Sequence, residues 1–176
     1  MRLILDLCGG TGAWSRPYER NDYEVLNVTL PIYDVLNFTP PINVYGILAA
    51  PPCNHFSTAD GKKATEEELR DSMKIVAACL KIIWECEYQQ HLKFWCLENP
   101  KARLRWFLGE PKVTVNYSDY GMFVKKPTDL WGMFNVPRTC PNTLRYPSFD
   151  KVMTRKAVER AITPEGFANS FYRANK

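Results

Sequence analysis

From residue 2 to residue 12 the chain reads RLILDLCGGTG. Leu3 to Leu7 form a short apolar run with β-branched content, as expected of a strand, and the glycines follow where a strand would turn into a helix. Strand, tight loop and helix make the opening unit of an α/β sheet, and such sheets bind ligands beyond the carboxyl ends of their strands. Gly9, Gly10 and Gly12 would let backbone approach a ligand ahead of a helix N-terminus. Taken alone, the glycines also fit a purely structural turn.

Working outward, YEVLNVTL (23–30) reads as a second strand. VYGILAAPP (44–52) reads as a third, almost continuously apolar, which suits a parallel strand buried on both faces and stopped by Pro51 and Pro52. From Thr65 to about Gln90 the spacing becomes helical, with Leu69, Met73, Val76, Leu80 and Ile83 on one stripe. Thr65 is the expected cap, and Glu66, Glu67 and Glu68 favour the positive end of that helix. LKFWCLENP (92–100) and KVTVNY (112–117) are further strands, and an amphipathic helix around Pro164–Ala174 closes the pattern. Prolines 137, 141 and 147 mark an irregular connection between Trp131 and Val158. Strands alternating with helices or long crossovers predict an α/β domain with a mainly parallel sheet. With no internal repeat or second boundary, residues 1–176 are expected to form a single domain.

The chain has 176 residues, 45% of them apolar and 24% charged, as in ordinary soluble domains. No apolar run reaches membrane-spanning length, and no charged leader with a cleavage site follows Met1, so a soluble, cytoplasmic protein is expected. The six cysteines lack the close pairing of zinc sites, which leaves metal binding unsupported. Cys79, Cys86 and Cys96 lie in apolar stretches and are expected in the core, and only Cys53 has a chemically suggestive setting. Charge is uneven: nine basic residues face thirteen acidic ones up to position 100, and fourteen face six beyond it. With Trp106, Phe123, Trp131 and Tyr146 read as exposed, the basic portion suits a polyanion partner; a solvated basic surface is the alternative.

Two further strand ends carry chemistry. Ala50-Pro51-Pro52-Cys53-Asn54-His55-Phe56-Ser57 presents a cysteine on a loop stiffened by two prolines. Leu97-Glu98-Asn99-Pro100 sets a carboxylate at the mouth of the next strand. A thiol and a carboxylate at neighbouring strand ends form a nucleophile-and-acid constellation.

Asp6 to Gly12, Pro51 to Ser57 and Glu98-Asn99-Pro100, in this order, resemble motifs I, IV and VI of the cytosine carbon-5 DNA methyltransferases. Arg160-Ala161-Ile162-Thr163-Pro164-Glu165 is similar to motif IX, and Phe167-Ala168-Asn169-Ser170 to part of motif X. The resemblance spans nearly the whole chain and implies a Rossmann-like S-adenosylmethionine-dependent methyltransferase fold. Gly132–Val158 stands where such enzymes insert a target-recognition domain, and in this the chain looks most like compact phage-type relatives, which would work in a bacterial or phage-infected cell.

The resemblance also implies roles. Asp6, Leu7, Cys8, Gly9, Gly10 and Gly12 would cradle S-adenosylmethionine, with Trp14, Asp34, Pro51, Asn169 and Ser170 as further cofactor contacts. Val28-Thr29-Leu30 lacks the acid that the family uses for the ribose. Cys53 would add to carbon 6 of cytosine while Glu98 binds the ring nitrogen and amino group and assists protonation; the enamine so formed takes the methyl group at carbon 5. Pro52, Asn54, Ser57 and Asn99 would meet the base or its strand. Lys126 and Thr128, within Lys125–Trp131, would replace the family's arginine pair; a lysine-rich turn before a strand is the alternative. DNA is the implied partner. RNA or a free nucleotide as substrate, and a catalytically silent binding module, are the rival readings.

Overall fold

The computed structural model describes residues 1–58, 63–122, 126–139 and 162–176. Among these, strands Leu3–Leu7 (β1), Glu24–Val28 (β2), Val44–Ala49 (β3), Phe94–Pro100 (β4), Val113–Asn116 (β5) and Pro127–Met133 (β6) form one sheet in the order β2-β1-β3-β4-β6-β5. The first four run parallel, and β6 is antiparallel to both β4 and β5. The helices are Arg16–Glu19 (α1), Glu66–Tyr88 (α2), Arg105–Leu108 (α3) and Glu165–Ala174 (α4). This is the expected Rossmann-like α/β architecture with a mainly parallel sheet.

The period of two along each strand divides the core into two layers. Leu5, Ile47 and Leu97 pack with Val76, Cys79, Ile82, Ile83 and Cys86 of α2 on one face. Their chain neighbours Ile4, Leu48 and Cys96 join Trp14, Tyr18, Phe167 and Phe171 on the other. Both faces of the central strands are therefore buried, as the apolar run at 44–49 predicts, and Cys79, Cys86 and Cys96 are core residues. The second layer is rich in aromatics: the Trp14 ring lies 5.9 Å from that of Phe167 and 5.3 Å from that of Phe171, which seats α4 beneath the glycine loop.

Helix α2 starts where its sequence says. Thr65 Oγ1 accepts the amide of Glu68 at 3.2 Å, and Glu68 Oε2 accepts the amide of Thr65 at 2.8 Å, a reciprocal cap. Its apolar stripe is wider than predicted: Leu69, Met73 and Leu80 lie at its margin and are only partly buried.

Two expectations need correction. Pro127–Met133 is a full strand between β4 and β5, entered at Lys126, so Gly132 and Met133 belong to that strand and not to the irregular connection expected over 132–158. Trp131 is buried, not exposed, because that pairing turns it into the α2 layer, where its Nε1 donates to the Gly109 carbonyl at 3.1 Å. Trp106 is exposed as predicted, whereas Phe123, Lys125, Tyr146 and most of 132–158 lie outside the described residues. No helix among the described residues is long and apolar enough to cross a membrane.

Candidate active site

The strand order reverses direction at β1: the chain moves to β2 on one side and returns to β3 on the other. Loops leaving β1 and β3 therefore diverge and open a crevice between them. A cavity of about 290 Å³ lies there, lined by both loops, the end of β4, Lys126 and Ile162–Thr163.

The glycine loop is fixed from three sides. Cys8 N donates to Val28 O and Ala50 N to Leu7 O, each at 2.9 Å, and Asn27 Nδ2 reaches Gly10 O at 3.0 Å. Asn27 was not singled out by the sequence, since an Asn inside an apolar strand carries no motif. Gly10 and Gly12 have φ of +54° and +67°, the left-handed region that favours glycine. Gly9 is required for another reason: a Cβ there would fall 2.3 Å from Asp6 Cγ.

Asp6 is fully buried. Ser15 Oγ donates to its Oδ2 at 2.6 Å, while Oδ1 has no hydrogen-bond partner among the described residues. Burial raises its pKa to about 6, against the lowering effect of the Ser15 hydrogen bonds. Trp14 Nε1, equally buried, also lacks a partner there, and both residues line the cavity.

On the opposite wall, the chain turns immediately after the thiol. Cys53 O accepts the amides of Phe56 at 3.1 Å and Ser57 at 2.8 Å, and the fully buried Phe56 ring anchors the turn. Cys53 itself is half-buried. Asn99 Nδ2 donates to Pro51 O at 3.0 Å, tying this loop to the end of β4. His55 Nδ1 lies 3.2 Å from both Ser72 Oγ and Glu68 O, which docks the loop on α2.

Glu98 sits beside this wall, 7% exposed, and its Oε2 has no hydrogen-bond partner among the described residues. Burial pushes its carboxyl above the usual range, opposed by the charge of Lys126 and by Tyr117. Asn99 Oδ1 is likewise buried and unpartnered there. The Lys126 ammonium lies over the Tyr117 ring, 5.2 Å from its centre.

Thus Asp6, Cys8, Gly9, Gly10 and Trp14 from one wall meet Pro51, Pro52, Cys53, Asn54, Glu98, Asn99 and Lys126 from the other. The remaining predicted residues stand elsewhere. Leu7 is core and Gly12 belongs to the frame of the loop. Ser57 closes the turn behind the thiol, and Thr128 is buried in β6 with its hydroxyl donating to Lys126 O at 3.2 Å. Asp34 caps a 3₁₀ turn, accepting Leu36 N at 3.0 Å and Asn37 Nδ2 at 3.3 Å. Asn169 and Ser170 lie on α4, where the Ser170 hydroxyl donates to Arg138 O. Ile162 and Thr163 of the motif IX segment reach the cavity; Arg160 and Ala161 lie outside the described residues.

No protein-family model matches the chain, and no curated protein matches it. Among solved structures it is similar to a crystal structure of a triple mutant of Spodoptera frugiperda DNMT2, at 18% identity and a TM-score of 0.49, covering 84% of this chain and 54% of that one. The chain thus spans about half the length of that structure.

Proposed function

We propose that this chain is an S-adenosylmethionine-dependent methyltransferase that acts on carbon 5 of cytosine in DNA, with Cys53 as the nucleophile. The observation that supports it best is the convergence, in one cavity, of the Cys53 thiol with four buried polar atoms that lack protein partners among the described residues, on Asp6, Trp14, Glu98 and Asn99. Burying a polar group unpaired costs on the order of 1–3 kcal/mol, so a cluster of them argues for a ligand that completes their hydrogen bonds.

The cofactor wall suits the methionine end of S-adenosylmethionine. Asp6 Oδ1 can accept from an ammonium and Trp14 Nε1 can donate to a carboxylate, while Gly9 and Gly10 keep the wall free of side chains. When bound, the cofactor supplies an electrophilic methyl group.

The other wall suits cytosine. Its amino group and its protonated ring nitrogen are donors, and Glu98 Oε2 and Asn99 Oδ1 are acceptors. Because burial raises its pKa, Glu98 retains a proton more readily than an exposed carboxyl and can hand it to the ring nitrogen. Cys53 Sγ then bonds to carbon 6, and the electron pair moves to carbon 5, which becomes nucleophilic. After methylation, loss of the carbon-5 proton to water expels the thiolate and restores the ring double bond, and the proton on the ring nitrogen returns to Glu98. The thiolate is the attacking form, and protonation of the ring nitrogen draws electrons from carbon 6 and so favours its attack.

The test is transfer of labelled methyl groups to duplex DNA, single-stranded DNA, RNA and free nucleotides, followed by base-resolution mapping. Label at carbon 5 of DNA cytosine is expected. Label confined to RNA or nucleotides would replace the substrate, and cofactor binding without transfer to any of them would leave a silent binding module.

A further inference from the structure

We propose that Arg103 is the positioning residue for the Cys53 thiol, clamping the backbone beyond it to the turn that follows β4. Its effect on catalysis rests on the methyltransferase reading, whereas the clamp itself stands on hydrogen-bond geometry. Residues 55 to 57 lie outside the strands and pair with none of them among the described residues. Their three consecutive carbonyls nevertheless converge on one residue: Arg103 Nη1 donates to His55 O at 3.2 Å and to Ser57 O at 3.1 Å, and Arg103 N donates to Phe56 O at 3.2 Å. Arg103 is held in turn by its neighbour Leu104, which is fully buried in the α2 layer.

This grip complements that of Asn99, whose side chain holds Pro51 O on the approach to the thiol. Cys53 is thereby fastened before and after to the segment that carries Glu98. The two groups that would act on the base are thus referenced to β4 and the turn that follows it. Covalent attack needs reacting atoms within a few tenths of an ångström of their productive positions. A guanidinium suits the task because the two N–H bonds of Nη1, held in a fixed plane, serve two carbonyls at once, whereas an ammonium is a freely rotating point donor.

The test compares Arg103→Gln and Arg103→Lys with wild type in the full chain. In Arg103→Gln the single-turnover rate of methyl transfer is expected to fall roughly 100-fold, the cost of a misplacement of about 1 Å. Cofactor affinity and thermal midpoint are expected to stay near wild type, and Arg103→Lys to recover part of the rate. Amide exchange at Phe56 and Ser57, which bond to Cys53 O, is expected to quicken in Arg103→Gln while β4 is unaffected. Wild-type rates and wild-type exchange in Arg103→Gln would overturn the proposal. So would parallel collapse of rate, cofactor affinity and thermal midpoint in both variants, because Arg103 would then hold the fold and not the loop. Should wild type methylate no nucleic acid or nucleotide, the functional reading fails and exchange alone decides: quickening confined to residues 54–57 sustains the clamp, and its absence removes it.

Discussion

Cys53 is half-buried on a turned loop and Glu98 is almost wholly desolvated, a difference that, under the proposed function, suits the first to attack and the second to proton transfer. Cys53→Ser keeps the volume and removes the nucleophile. It is expected to abolish transfer while leaving cofactor binding intact, and wild type alone should form a denaturant-stable adduct with DNA containing 5-fluorocytosine; an adduct in Cys53→Ser would assign the attack elsewhere. Glu98→Gln can still hydrogen-bond the base but cannot protonate it, so its single-turnover rate is expected to fall about a hundred- to ten-thousand-fold. An unchanged rate would reduce Glu98 to a structural carboxylate. Asp6 offers a check that needs no substrate. Its folded pKa of about 6 exceeds that of an unfolded aspartate, about 3.9. Between these values the folded state binds more protons, so Asp6 makes stability fall as pH rises from about 4 to about 6 and adds no slope above. Asp6→Asn should therefore gain stability relative to wild type across that window, read as urea midpoints at successive pH values. Saturating cofactor should narrow the gap by stabilising wild type at the upper end, since an ammonium partner favours the ionised carboxylate.

At the scale of elements, α2 shows which parts of the fold are local. Thr65→Ala removes one half of a reciprocal cap at an exposed helix end and is expected to cost about 1 kcal/mol in denaturant unfolding, with no effect on cofactor affinity. An equal loss of cofactor affinity would mean that the helix end communicates with the glycine loop. This cap was legible because its two partners are three residues apart. The parallel strands were legible because their apolar runs are continuous, and both chemical loops because they follow those strands. What escaped depends on partners distant in sequence. β6 carries Thr128 and Asp129 at buried positions, which reads as polar; Asp129 is tolerated because Arg105, 24 residues away, pairs with it at 2.5 and 2.6 Å. Trp131 looked exposed for the same reason, since partners distant in sequence bury it: Leu97 opposite it and the α2 layer it joins. Asp34 looked available for a ligand, yet a carboxylate two residues before an amide caps its own turn. Arg103 and Asn27 bind backbone carbonyls, and a carbonyl leaves no mark in a sequence. Gly9 was legible as a glycine but not as the residue whose missing Cβ makes room for Asp6.

For the molecule as a whole, the open question under the proposed function is how so small a chain would hold DNA. A base inside a duplex is out of reach of Cys53, so a paired target must be flipped out at a cost of a few kcal/mol. Contacts elsewhere have to offset that cost. Only residues 134–164 stand between β6 and α4, too short a stretch for an independent base-reading domain. The remaining resource is charge, because basic residues outnumber acidic ones by fourteen to six beyond position 100. Arg138 is exposed there, while Arg145, Lys151 and Arg155 lie outside the described residues. Arginines on such a surface meet mainly phosphates, which position a duplex but carry little sequence information. Methylation is accordingly expected in short or degenerate cytosine contexts. Binding is also expected to weaken steeply with salt, each neutralised phosphate adding roughly 0.9 to the slope of log affinity against log salt. Charge reversal at Arg138, Arg145 and Arg155 together should lower DNA affinity across all sequences alike and flatten that slope, with S-adenosylmethionine affinity unchanged. Base-resolution maps that show one long, strictly read target, or a triple variant that binds DNA as tightly as wild type, would mean that recognition runs through groups other than these arginines.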